Sequence, residues 1–156
     1  MKRALAFALL SIALTASTLA AQLGSLSDIE GIGPATVEKL AQAGVHTPLD
    51  LLNAGATKKG RTELAHQTGI STTQLLKWVN RVDLSRVKGI GPQYADLLEA
   101  SGVDTPKELA SRNPDHLVAT LTATNESKHL VHQVPSMSQV RAWIKSAKKL
   151  KPVVEY

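Results

Sequence analysis

A short stretch of this chain occurs twice, with the second copy 58 residues after the first, counted from Gly31 to Gly89. The first copy reads IEGIGPATVEKLAQAGV from Ile29, and the second reads VKGIGPQYADLLEASGV from Val87. The residues shared at this offset are Gly31, Ile32, Gly33, Pro34, Leu40, Gly44, Val45, Thr47 and Pro48, which return as Gly89, Ile90, Gly91, Pro92, Leu98, Gly102, Val103, Thr105 and Pro106. This many identities at one offset indicate a duplicated structural unit.

The residue types in this stretch predict a tight turn followed by a short helix. Two glycines flank a single isoleucine in each copy, and glycine tolerates the positive φ that a sharp turn requires. Pro34 and Pro92 then stand at the first helical position, where the missing N–H costs nothing. Gly44 and Gly102 end these helices. We expect the isoleucine of each turn to point inward.

The remainder of the chain reads as a series of short capped helices. Thr57, Ser71 and Ser136 precede apolar periodic segments, as N-cap residues do. Trp78 and Trp143 follow the two serines at equivalent places, so each copy carries its own tryptophan-bearing closing helix. No window shows the alternation that is typical of strands. The sequence therefore predicts an all-α fold with about eight to ten short helices and no sheet.

The N-terminal residues have the pattern of a bacterial secretory signal peptide. Lys2 and Arg3 are followed by an apolar run, Ala4–Leu14, and Thr18-Leu19-Ala20 has the small–x–small form of a cleavage site. We expect residues 1–20 to be removed after Ala20 and the protein to be periplasmic or secreted. Retention as a membrane anchor is the alternative, although hydroxyl residues dilute the run below what a spanning helix needs.

Composition excludes several classes of function. Without Lys2 and Arg3 the net charge falls from +5 to +3, so part of the basicity belongs to the leader. The absence of cysteine excludes disulfides, thiolate metal sites and cysteine catalysis. Only 3% of residues are aromatic, which argues against a stacking platform for single-stranded nucleic acid.

The repeat also sets the expected domain organisation. Residues 21–26 are predicted to be a linker, residues 27–82 the first half and residues 83–150 the second half of one compact domain. The last residues, Pro152–Tyr156, are expected to fray.

The duplicated unit resembles the helix-hairpin-helix (HhH) motif. Together with the segment GATKKGRTELA and the closing helix that contains WVNR, the two units make Ser27–Leu150 similar to a bacterial family catalogued as a domain of unknown function. This resemblance implies tandem HhH repeats in a small helical domain of the SAM/HhH-like kind. It implies no activity.

The wider HhH class implies DNA binding without sequence preference, in which backbone N–H groups at a helix start contact a phosphate oxygen. The second hairpin is expected to contribute more, because Arg86 and Lys88 flank it where Asp28 and Glu30 flank the first. On this resemblance the candidate contacts are Gly31, Ile32, Gly33, Thr36, Lys39, Arg86, Lys88, Gly89, Ile90, Gly91, Gln93 and Tyr94.

Two classes of function stay open on the sequence. DNA-binding HhH units usually carry Lys or Arg just after the hairpin, whereas this chain has Ala35-Thr36 and Gln93-Tyr94 there. The first hypothesis is a weak DNA-binding module, and the second is an exported structural or protein-interaction module. We expect no enzymatic activity, no cofactor and no small-molecule substrate, and contact with a membrane only through an uncleaved leader.

A metal site is a weak hypothesis. His129 and His132 are three residues apart and could share a helix face, but only Glu126 offers a nearby carboxylate. We therefore predict no metal.

Overall fold

The computed structural model describes residues 18–156, and the regular secondary structure of these residues is entirely helical, without a strand. This confirms the all-α prediction. A short 3-10 helix, Leu26–Asp28, precedes the first glycine turn, and residues 18–23 are also helical. The α-helices that follow are α1 (Pro34–Gln42), α2 (Pro48–Gly55), α3 (Lys58–Thr68), α4 (Thr72–Leu84), α5 (Pro92–Ala100), α6 (Pro106–Ser111), α7 (Pro114–Lys128) and α8 (Met137–Ala147).

Most of these helices begin at a side chain that accepts a hydrogen bond from the first turn. Ser136 also receives the reciprocal contact, in which its own N–H donates to the Gln139 side chain across 2.8 Å. Such caps satisfy N–H groups that have no acceptor inside the helix. The capping side chains are Thr47, Thr57, Ser71, Thr105, Asn113 and Ser136, at the starts of α2, α3, α4, α6, α7 and α8.

The described residues bury two apolar clusters, one in each half. The first core contains Ile32, Leu40, Val45 and Trp78 among its members, and the second contains their counterparts Ile90, Leu98, Val103 and Trp143. Helix α4 belongs to both clusters, because Val82 packs in the first core and Leu84 in the second. The boundary expected between residues 82 and 83 therefore lies inside one helix, which joins the two halves.

The segment that was expected to be a linker is packed against both halves. Leu23 is buried in the first core. The amide of Gln22 donates hydrogen bonds to the carbonyls of Ser85 and Val87, across 2.5 and 2.8 Å. Leu19, within the predicted leader, also packs against the first core.

Most of the predicted leader, residues 1–17, lies outside the described residues. In the part of the chain that is described, no helix combines the length and the apolar character needed to cross a membrane.

The C-terminal residues do not fray as expected but return to the first half. Val154 packs against the first core, and the Glu155 N–H donates to the carbonyl of Ala56 across 2.8 Å. The guanidinium of Arg61 donates to the Glu155 carbonyl across 2.6 Å. The expectation of fraying was wrong because these backbone partners lie about a hundred residues away along the chain, where a local sequence pattern does not reveal them.

Candidate functional site at the glycine turns

The two glycine turns have the same backbone geometry. The N–H of Ile32 donates to the carbonyl of Ile29, and that of Ile90 to the carbonyl of Val87, each across 3.0 Å. The residue before each isoleucine has a strongly positive φ, +86° at Gly31 and +89° at Gly89. This is the third position of a type II turn, which glycine occupies at no steric cost. The turn thus buries each isoleucine and directs the chain into a new helix.

The helices after the glycine turns differ from the others because no side chain caps them. Gly33 and Gly91 are the N-cap residues of α1 and α5, and neither start has a side-chain hydrogen bond. A Cβ placed on either glycine would meet no atom within 4 Å, so the space in front of each helix start is open. Backbone N–H groups of the first turn, such as those of Ala35 and Gln93, therefore have no side-chain capping acceptor among residues 18–156.

A tryptophan lies behind each turn. The Trp78 indole N–H donates to the carbonyl of Glu30 across 3.1 Å. The Trp143 indole nitrogen would lie 3.0 Å from a Cβ on Gly89, and the ring of Trp143 lies 5.1 Å from the ring of Tyr94. The closing helix of each half therefore supports its turn from the interior.

The side chain of Tyr94 is used for packing. Besides its contact with Trp143, its hydroxyl donates to the Gln133 carbonyl across 3.2 Å. Gln93 is exposed, and Thr36 is half-buried at the corresponding start of α1.

The acid beside the first turn is engaged in an ion pair. The carboxylate of Glu30 lies 3.0 Å from the guanidinium of Arg81, whose side chain is only 5% exposed. Arg81 also pairs with Asp96, and with Glu99 across 3.2 Å, both on α5. Burial raises the pKa of Asp96 to about 6, against the opposing effect of Arg81. The buried guanidinium of Arg81 thus partly neutralises the negative charge of Glu30 at the first turn.

The cations beside the second turn are not equivalent. Arg86 pairs with Asp83 across 2.5 Å, and its side chain is 16% exposed. Burial raises the pKa of Asp83, although Arg86 acts in the opposite direction. Lys88 is exposed and forms no ion pair among the described residues. The sequence suggested that both cations at this turn are free. In the described part of the chain, Arg86 is paired and Lys88 is not.

The first half supplies one wall of a groove at the second turn, which sequence reasoning missed. The groove has a volume of about 520 Å³. Asp28 is one of its lining residues, and the Asp28 carboxylate accepts hydrogen bonds from the N–H and hydroxyl of Ser25, which lower its pKa. An ionised carboxylate therefore stands near the second helix start. The lining residues are Ala21, Gln22, Gly24, Asp28, Gly89, Gly91, Pro92, Gln93 and Tyr94.

The other candidate groups do not form a site. His129 has a left-handed backbone, with φ of +53°, and ends α7, so it does not share a helix face with His132 as the sequence suggested. Lys39 lies in the last turn of α1 rather than at its start. Within residues 18–156, no group of three or more histidines and carboxylates is arranged to hold a metal ion.

Comparison with known proteins identifies the family. A family model described as a domain of unknown function, DUF4332, matches residues 30–150. The chain belongs to this family. No curated protein and no solved structure matched the chain in the same comparisons. Both glycine turns and both tryptophans lie within the matched region, whereas Asp28 and the C-terminal residues flank it.

Proposed function

We propose that this protein is a non-enzymatic binding module that holds the phosphate backbone of DNA weakly and without base preference, through tandem helix-hairpin-helix units. The observation that carries the proposal is the pair of uncapped helix starts after Gly33 and Gly91, among helices that are otherwise capped by side chains. A helix start carries about half a positive charge and presents N–H groups that phosphate oxygens accept.

The second turn is the better phosphate site on charge grounds. Lys88 stands at the position that Glu30 occupies in the first turn; it is exposed and forms no ion pair within the part of the chain that the structure describes. Asp28 opposes an anion in the adjacent groove, and Arg86 is held by Asp83. Because Lys88 is exposed there and Asp28 is a nearby carboxylate, we expect an affinity in the non-specific range of ~10⁻⁴ to 10⁻⁶ M.

Salt dependence tests this proposal. The full mature chain is titrated into labelled random-sequence duplex at low and moderate salt, and fluorescence anisotropy is measured. Phosphate contacts release counterions, so binding should be detected at low salt, fall with added salt and be equal on duplexes of different sequence. The absence of binding at low salt by folded protein would reject the proposal.

A structural or protein-interaction module is the second candidate, and a specific observation favours it. The backbone carbonyl of Glu30 in the first turn is held from the interior, since the buried side chains of Trp78 and Arg81 both donate to it, across 3.1 and 3.2 Å. Because Trp78 and Arg81 belong to α4, these hydrogen bonds join α4 to the turn that precedes α1, which is a structural role. Folded protein that binds no DNA at low salt would favour this candidate.

We further propose that the protein is exported and cleaved after Ala20. The support is the basic, apolar and small-residue pattern of the leader. Cleavage there would leave the anchoring residues Gln22 and Leu23 in the mature chain. Protein from the extracytoplasmic fraction should begin at Ala21 by N-terminal sequencing, and an intact Met1 in that fraction would overturn this proposal.

A further inference from the structure

A second groove, which no residue of the glycine turns lines, is formed by α6, the end of α8 and the C-terminal residues. Its volume is about 210 Å³. The large apolar side chains most exposed in the described chain, Val153 at 40% and Tyr156 at 60%, both line it. We call this feature the lysine groove, and its lining residues are Asp83, Thr105, Pro106, Lys107, Ala110, Ala147, Lys148, Leu150, Lys151, Pro152, Val153, Val154 and Tyr156.

Three unpaired cations surround the apolar surface of the lysine groove. Lys107, Lys148 and Lys151 are exposed, and none of them forms an ion pair within the described residues. The acid in the lining, Asp83, is buried and is paired with Arg86. Among the lining residues, three exposed lysines therefore face one buried, paired acid around apolar side chains.

The wall of the groove formed by the C-terminal residues is fixed. The Glu155 N–H donates to Ala56, and the Glu155 carbonyl accepts from Arg61. The hydroxyl of Tyr156 donates to the Asn80 side chain across 3.0 Å. These contacts hold the wall before any partner arrives, which reduces the ordering cost of binding.

We infer that the lysine groove docks an acidic peptide segment of a partner protein. One large apolar side chain of the peptide would lie on the floor, and flanking carboxylates would pair with the three lysines. The volume is below the ~300–1,000 Å³ of pockets that bind small ligands, so a single side chain fits it better than a cofactor. Charge complementarity of this kind sets the choice and orientation of a partner.

The lining favours a peptide over nucleic acid. The three lysines would suit phosphates as well as carboxylates, so the apolar lining decides between them. Pro106, Ala110, Ala147 and Leu150 offer a surface for an apolar side chain and no side-chain hydrogen-bond donor for a phosphate. The short helix α6 begins beside the groove, but the Glu108 N–H of its first turn already donates to the Thr105 hydroxyl across 3.1 Å. That N–H is therefore not free to bind a phosphate.

The test uses the full chain and a fluorescein-labelled synthetic peptide in which two leucines are set among glutamates. A second peptide carries serine in place of both leucines. The groove variant is Lys148→Glu with Lys151→Glu, and the matched control is Lys58→Glu with Lys59→Glu, two exposed lysines at the start of α3. Fluorescence anisotropy gives each affinity at low salt, and circular dichroism checks that each variant is folded.

The leucine peptide should bind, and the groove variant should weaken that binding by about tenfold while the control changes it less than twofold. The serine peptide should bind several-fold more weakly, since it lacks the apolar anchor. Lys88→Glu should leave peptide binding unchanged, which separates this inference from the proposed DNA contact. The inference would be overturned if both peptides bound equally well, or if the control variant weakened binding as much as the groove variant. It would also be overturned if Lys88→Glu abolished peptide binding, or if random duplex carrying the same total charge as the peptide displaced it.

Discussion

The indole N–H of Trp78 donates a hydrogen bond to the carbonyl of Glu30 across 3.1 Å, 48 residues away in the chain. This contact joins the closing helix of the first half to the glycine turn that opens it. Trp143 lies against Gly89 in the second half, so the duplication preserves the relationship between turn and tryptophan. Each turn is thereby held from the interior while its helix start stays open to solvent.

The glycine turns should tolerate alanine very unevenly. Gly31→Ala should lower the free energy of unfolding by about 1–2 kcal/mol, since a left-handed backbone is strained with a Cβ. Gly89→Ala should cost more, because its Cβ would lie 3.0 Å from the Trp143 indole nitrogen, against 3.5 Å from that of Trp78 at Gly31. Urea unfolding of both variants measures the difference.

Gly33→Ala is the matched control for these variants. Its φ of −88° suits any residue, and an added Cβ would meet no atom within 4 Å. We expect its unfolding free energy to stay close to that of the wild type. A cost at Gly33 equal to that at Gly31 would show that the turn geometry is different.

The ion-pair cluster between α4 and α5 should make stability depend on pH. Burial raises the pKa of Asp96 to about 6, so the folded state binds a proton more readily than the unfolded chain. Its stabilising contribution is fully present below the unfolded pKa near 4 and is lost as the pH rises through about 6. Relative to Asp96→Asn, the wild type should therefore gain stability as the pH falls from 7 to 5, measured by urea unfolding.

Asp28→Asn should show the opposite sign. Hydrogen bonds from the backbone and side chain of Ser25 lower the pKa of Asp28, so its stabilising contribution is present above the usual carboxyl range near 4 and is lost as the pH falls below it. The wild type should lose stability relative to this variant in acid. The same pH dependence for both pairs would contradict the assigned pKa directions.

The docking of the C-terminal residues can be tested by hydrogen exchange. The Glu155 N–H donates to Ala56 and should exchange slowly in the wild type. Val154→Asp should remove that protection, because Val154 packs against the first core. Val153→Asp is the control, since this side chain is 40% exposed and should leave the Glu155 amide protected. Rapid exchange in the wild type would mean that the C-terminal residues are not docked.

The sequence predicted the parts of the fold that depend on local chemistry. The glycine turns, the proline starts and the serine and threonine caps follow from residues close together in the chain, and the structure has helices there. The partners of Arg86 and Glu30 were harder to predict. Asp83 is three residues from Arg86, but its burial depends on packing, and Arg81 reaches Glu30 across 51 residues.

The position of Asp28 in the candidate site also depends on tertiary packing. Asp28 lines the groove at the second turn because the segment just before it is anchored to both halves, by Gln22 and Leu23. No local pattern indicates this contact. Which charges at each turn are paired therefore follows from the structure and not from the sequence. At the second turn Arg86 is paired with Asp83, and Lys88 forms no ion pair among the described residues.

The most direct test of the proposed phosphate site compares two charge reversals on random-sequence duplex at low salt. Lys88 flanks the second turn, whereas Lys39 is also exposed but lies in the last turn of α1. By fluorescence anisotropy, Lys88→Glu should weaken binding several-fold on every duplex alike, and Lys39→Glu should change it less than twofold. A larger effect of Lys39→Glu, or equal effects of the two, would contradict the assignment of the phosphate site to the second glycine turn.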